Sequence, residues 1–137
     1  MNKMAQAQRF MEVIPHAKAL GIRFETIGEG TAEMRMDYNE KLIGDPQTRV
    51  IHGGAVFALL DTCCGAAVLS HPDQRGLTVT IDLRVDYMRS ATPHQMIRAI
   101  ATCYNVTRSV AFVRAVALDE NAEKPVATAS GAFVNGI

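Results

Sequence analysis

The spacing of apolar residues along this sequence changes period three times, and each change marks a different element. Over residues 4–20, Phe10, Met11, Ile14 and Leu20 recur at roughly helical spacing. Pro15 falls inside that stretch, and a proline removes a helical hydrogen bond and clashes with the preceding turn, so one or two short helical pieces are predicted there. From Ile22 the period drops to two. Ile22 and Phe24 alternate with Arg23 and Glu25, and after Gly28-Glu29-Gly30 the set Ala32, Met34, Met36 and Tyr38 alternates with Thr31, Glu33, Arg35 and Asp37. That pattern predicts a β-hairpin.

A loop containing Gly44-Asp45-Pro46 leads into residues 53–69, which are almost wholly apolar and too long a run for a typical strand. They predict a helix with most of its circumference covered. Alternation then returns over residues 77–87, with Leu77, Val79, Ile81, Leu83, Val85 and Tyr87 on one side and Thr78, Thr80, Asp82, Arg84 and Asp86 on the other. One face is expected in the core and the other to be polar or functional. Three further β-rich runs, residues 95–106, 109–118 and 125–134, are joined by Thr107-Arg108 and by residues 119–124. Links this short cannot make crossovers, so antiparallel neighbours are expected. The order of elements fits an α+β fold in which a curved antiparallel sheet wraps one long central helix, and apolar strand faces packed on that helix would explain why it lacks a polar stripe.

No internal repeat, low-complexity run or linker divides residues 1–137, so a single domain is expected. The 14 basic and 14 acidic residues cancel, and no global field favours nucleic acid or an anionic membrane. Residues 1–9 are polar, unlike a signal peptide, and no stretch has eighteen uninterrupted apolar residues, so a cytoplasmic protein without membrane contact is expected. The three cysteines are an odd number, two are adjacent, and none has zinc-ligand spacing; reduced core thiols are expected, with neither metal nor cofactor. No P-loop or dinucleotide fingerprint is present.

One formally charged residue, Asp61, lies within residues 53–69. Burying an ionised carboxylate without a partner is costly, so it is there either as a hydrogen-bonded structural group or for chemistry. Directly before the helix stand His52-Gly53-Gly54, and glycines at a helix start let a ligand approach the unpaired backbone N–H groups, where a developing oxyanion can be held. The same glycines also suit a tight loop with no ligand, and His52 a hydrogen-bonded loop position. His52 and Asp61 are nine positions apart, on the order of 13 Å along a helix rising 1.5 Å per residue. One chain cannot bring both to one carbon; a second subunit, its helix running the opposite way, would create two equivalent sites across a twofold axis.

Taken together, His52-Gly53-Gly54, six residues, Asp61, three residues and Gly65 resemble the helix signature of hotdog-fold thioesterases of the phenylacetate-degradation type, and the flanking hairpin and strands extend the likeness over nearly the whole chain. The resemblance implies hydrolysis of an acyl-coenzyme A thioester to free acid and coenzyme A. It gives the Gly53 amide the task of polarising the carbonyl, Asp61 that of general base or nucleophile, and His52 that of positioning. Thr80 matches the family's Ser or Thr that orients the attacking water, and Gly54, Thr62 and Arg89 are assigned to substrate binding. Many members place an Asn six residues before the His; here that position is Pro46, and Asp45 or Gln47 are the candidates to take over as partner of His52. The likeness also implies a homodimer or a dimer of dimers with sites between subunits.

Other residues carry less. Cys63 and Cys64 fall mid-helix among apolar neighbours, where thiols are inert, and His16, His71 and His94 lie near prolines or in loops with a surface role expected. Arg84, Arg89, Arg108 and Lys124 are cations available to the coenzyme A phosphates or simply solvated. A hotdog hydratase or dehydratase and a non-catalytic acyl-binding module are the competing functions. The sequence leaves the acyl group open.

Overall fold

A computed structural model of the chain describes residues 2–136. Two short helices come first, α1 (Lys3–Glu12) and α2 (Pro15–Leu20). Asn2 caps α1, its side-chain oxygen accepting from the Ala5 amide at 2.8 Å. Pro15 occupies the first turn of α2, where its missing N–H is harmless, and Gly21, at φ 74°, closes the helix in the left-handed conformation. The hairpin follows as β1 (Ile22–Gly28) and β2 (Thr31–Met36), then the long helix α3 (Gly53–Ser70), then β3 (Thr80–Tyr87), β4 (Ile97–Val106), β5 (Val110–Leu118) and β6 (Ala127–Val134).

The six strands form one open antiparallel sheet in the order β1-β2-β4-β5-β6-β3, and α3 touches every one of them. Leu59, Leu60, Cys63, Cys64 and Val68 of α3 are fully buried in one cluster with Met34, Met36, Ile97, Val113 and Phe133. Alanine and leucine favour the helix locally, and the sheet covers the apolar circumference that the sequence left without a polar stripe. The fold is the expected one: a central helix wrapped by an antiparallel sheet that does not close.

β3 departs from the expected alternation. It begins at Thr80, three residues later than the pattern suggested, and a bulge between Thr80 and Asp82 shifts its register against β6. An extra residue in one strand reverses the side-chain faces on either side of it. Leu83 and Val85 pack toward the core, whereas Leu77, Val79 and Ile81 are each more than half exposed. Thr80, read as lying on the polar side, is thereby turned onto α3. Gly131 on β6 makes room for this irregularity, since a Cβ there would stand 2.8 Å from the Asp82 carbonyl oxygen.

Candidate active site

The start of α3 is fixed by the loop before it. Ile43 and Ile51 bridge, the Gly44 amide donates to the Val50 carbonyl at 2.8 Å, and the His52 amide donates to the Leu42 carbonyl at 2.8 Å. Gly44 is needed for this closeness, because a Cβ on it would lie 2.8 Å from the His52 Cα. The Asp45 carboxylate accepts from the Gln47 amide at 2.9 Å and the Thr48 hydroxyl at 2.8 Å, which holds its pKa below the usual range. Asp45 is thus spent on its own turn and does not replace the missing Asn beside His52, contrary to the expectation. His52 instead caps the helix: its Nδ1 accepts from the Gly54 amide at 2.8 Å. With Nδ1 occupied as acceptor, the neutral imidazole carries its proton at Nε2 and presents a donor there.

That cap also occupies the amide of Gly54, the residue expected to bind substrate. The Gly53 amide makes no hydrogen bond among the described residues, so it is the donor the helix start presents. Its carbonyl accepts the Tyr87 hydroxyl at 2.8 Å, and the phenol ring lies about where ordinary contact with a Gly53 Cβ would fall. Tyr87 is a site residue that the sequence did not single out; as the last apolar member of the β3 alternation it looked like packing.

Two turns on, Asp61 is half-buried and its Oδ1 accepts the Thr80 hydroxyl at 2.8 Å. Thr80 and Asp61 open onto a cleft walled by α1 and α3, with Phe10, Met11, Ile14, Gly65 and Leu69 along it and a volume of about 210 Å³. His16, read as a surface residue, stands on the rim of this cleft, and Thr62 forms part of its wall while its hydroxyl donates back to the Ala58 carbonyl at 2.7 Å. His52-Gly53 and Asp61 are not brought together within the chain; β3 runs between them, bound to Gly53 at its Tyr87 end and to Asp61 at its Thr80 end.

Arg89, expected to bind substrate, lines a cleft beside Gly53 but has its donors committed within the fold. Its five N–H groups are all engaged: two with the Asp119 carboxylate at 2.7 Å each, two with the Lys124 carbonyl at 3.0 and 2.7 Å, and one with the Ser90 carbonyl at 3.2 Å. Asp119, with a fully buried side chain, also accepts from the Thr92 and Asn121 amides, and the Arg89 guanidinium holds its carboxyl well below the usual carboxylate range. A depressed carboxyl adds stability above its unfolded pKa of about 3.9 and loses that contribution as pH falls. Arg89→Ala is therefore expected to cost about 3–5 kcal/mol, because a buried carboxylate is left unpaired. Calorimetric Tm against pH checks this: the wild-type Tm should fall more steeply below about pH 4 than that of the variant.

The thiols behave as the sequence suggested. Burial pushes Cys63 well up, Cys64 up to about 12 and Cys103 up to about 11, which leaves no thiolate nucleophile near neutrality. Among the described residues no group of three or more His, Cys, Asp or Glu could hold a metal ion.

Comparison with known proteins finds likeness in sequence and in fold. Residues 49–126 match the sequence model of the thioesterase superfamily. A Halobacterium salinarum protein with a provisional esterase name is 33% identical over 120 residues, covering 83% of this chain and 80% of that one. A medium/long-chain acyl-CoA thioesterase of Salmonella typhimurium is 24% identical over 142 residues, covering 94% of this chain and 90% of its own. In fold, the chain superposes with a TM-score of 0.85 on the PaaI protein of the Escherichia coli phenylacetic acid degradation operon, 24% identical, with 97% of this chain and 93% of that one covered.

Proposed function

The chain belongs to the thioesterase superfamily and is a hotdog-fold thioester hydrolase; from that premise we propose that it splits acyl-coenzyme A into free acid and coenzyme A at sites shared between two subunits. The observation that carries this reading is the division of the chemistry along α3: a free amide at Gly53 and a carboxylate oriented by Thr80 at Asp61.

The thioester carbonyl oxygen accepts from the Gly53 amide at the positive end of the helix, which stabilises the charge that develops as the carbon is attacked. Asp61 of the other subunit takes a proton from water. With Oδ1 held by Thr80, Oδ2 is left for that water, and the threonine oxygen, donating already to the carboxylate, can accept the water's second hydrogen. The water oxygen bonds to the carbonyl carbon, the C–S bond breaks, and the proton on Asp61 passes to the departing sulfur. The His52 Nε2–H lies at the carbonyl end as a positioning donor, and Tyr87 fixes the first turn through the Gly53 carbonyl.

Support for two subunits comes from β3. Among the described residues it is a sheet edge without a strand partner on its outer side, and Leu77, Val79, Ile81, Tyr87 and Met88 around it are each more than half exposed. Long apolar edges of this kind are otherwise protected in soluble proteins. A second copy adding its β3 antiparallel to this one sets the Thr80 end of each strand beside the Tyr87 end of the other, which carries Asp61 toward the partner subunit's Gly53.

A panel of acyl-CoA thioesters, incubated with the protein in chelator and followed by thiol release, tests the reading: saturable turnover is expected, and saturable binding with no turnover would favour an acyl-binding module. Thr80→Val should lower kcat by on the order of 10–100-fold, the worth of a hydrogen bond to a charged group, while Thr80→Ser restores it. Equal turnover by Thr80→Val and wild type would remove Thr80 from the site.

A further inference from the structure

The Asp61 cleft does not end in solid core. Gly65 lies one helical turn beyond Asp61 on the same face of α3, and where its side chain would be, the Met11 side chain closes in, with Cε 3.4 Å from a Cβ built on Gly65. Met11 is 6% exposed and faces two spaces at once. On one side is the cleft that holds Asp61 and Thr80; on the other is a second cleft between α1, α2 and β1, floored by Met11, Ile22, Phe24 and Met34, with a volume of about 450 Å³. The catalytic groups do not reach this second cleft. Its floor is apolar and its rim charged, with Glu12, Lys18 and Arg23.

From this we infer that Met11 is the residue that sets the length of acyl chain the enzyme accepts, and that the cleft behind it receives the far end of a longer unbranched chain once its side chain is shortened. The inference rests on the acyl-CoA reading of the Asp61 site. A chain whose carbonyl lies at Asp61 runs along the Asp61, Gly65 and Leu69 stripe, about 12 Å from first to last, and meets Met11 part of the way. Gly65 offers no side chain at that point, the unbranched, flexible Met11 side chain fills the space instead, and Met11 is common to the linings of both clefts.

The test measures kcat/KM for butanoyl-, octanoyl- and palmitoyl-CoA, kept below their micelle concentrations, with wild type, Met11→Ala and Met11→Val. Each further methylene taken into an apolar cleft is worth about a fourfold gain, so the palmitoyl-to-butanoyl ratio of kcat/KM should rise about tenfold or more in both variants. Met11→Val keeps more of the packing and serves if Met11→Ala does not fold. Phe24→Trp, which adds bulk to the floor of the second cleft, should leave the wild-type ratio alone and cancel the gain when combined with either Met11 variant. A length profile that stays at wild type in a folded Met11 variant while butanoyl-CoA is still hydrolysed overturns the inference and leaves the acyl-CoA reading intact; so does a gain that Phe24→Trp does not cancel. If wild type hydrolyses other acyl-CoA thioesters but none of these three, the inference fails; if it hydrolyses no acyl-CoA at all, the acyl-CoA reading itself fails.

Discussion

Asp61→Asn is expected to lower kcat by on the order of 10³-fold while leaving Tm unchanged or slightly raised. Asparagine keeps the shape of the side chain and an oxygen that can accept the Thr80 hydroxyl, so the 2.8 Å bond to β3 survives. What it removes is basicity. Asp61 forms no ion pair among the described residues, the cations nearest in kind being matched elsewhere: Arg23 with Asp37, Arg35 with Glu25, Arg49 with Glu40, Arg84 with Asp86 and Arg89 with Asp119. Neutralising a half-buried carboxylate that has no cation releases a desolvation cost and breaks no bridge. Stopped assays of thiol release beside thermal melts separate the two roles. Full activity with a Tm several degrees lower would make Asp61 structural.

Much of this was legible in the sequence, and the reasons differ by element. The central helix could be read because the nearly unbroken apolar run of residues 53–69 is too long for a strand, and Asp61 stood out as the single charge in it. The hairpin and the strands after the helix followed from period two. The bulge at Thr80 was not legible: the residues 77–87 alternate cleanly, and only the pairing with β6, opposite Gly131, shows where the faces exchange. That one irregularity decides which hydroxyl faces Asp61 and which apolar row is left on the open edge.

Side-chain partners were harder still, because they depend on contacts remote in sequence. Arg89 looked like a free cation for a phosphate until Asp119, thirty residues on, and the Lys124 carbonyl were seen to take all its donors. Asp45 sits close enough in sequence to be offered to His52, yet its nearest amide and hydroxyl, Gln47 and Thr48, claim it first. Tyr87 carried no signal at all, since the hydroxyl that reaches the Gly53 carbonyl is indistinguishable in sequence from a strand-end aromatic. Met11 likewise reads as one more apolar helix position, and the two clefts it divides exist only once α1 lies across α3 and β1.

The second large effect belongs to Gly53→Pro, and it leads to the decisive experiment. Proline removes the N–H that the structure leaves without a partner, suits the first position of a helix, and follows His52, whose φ of −58° and ψ of 135° a following proline tolerates. A ring carbon at this position meets Tyr87 at ordinary contact distance. Loss of an oxyanion donor of this kind costs on the order of 10²–10³-fold in kcat, so Gly53→Pro and Asp61→Asn should each be nearly inactive alone. Co-refolding the two in equal amounts, after verifying that each folds and that mixed dimers form, tests whether one site draws its amide from one subunit and its carboxylate from the other. In a mixed dimer one site collects both lesions and the other has neither, so the random mixture should recover about a quarter of wild-type activity. If verified mixed dimers remain as inactive as their parents, the Gly53 amide and Asp61 do not complete a site across two subunits.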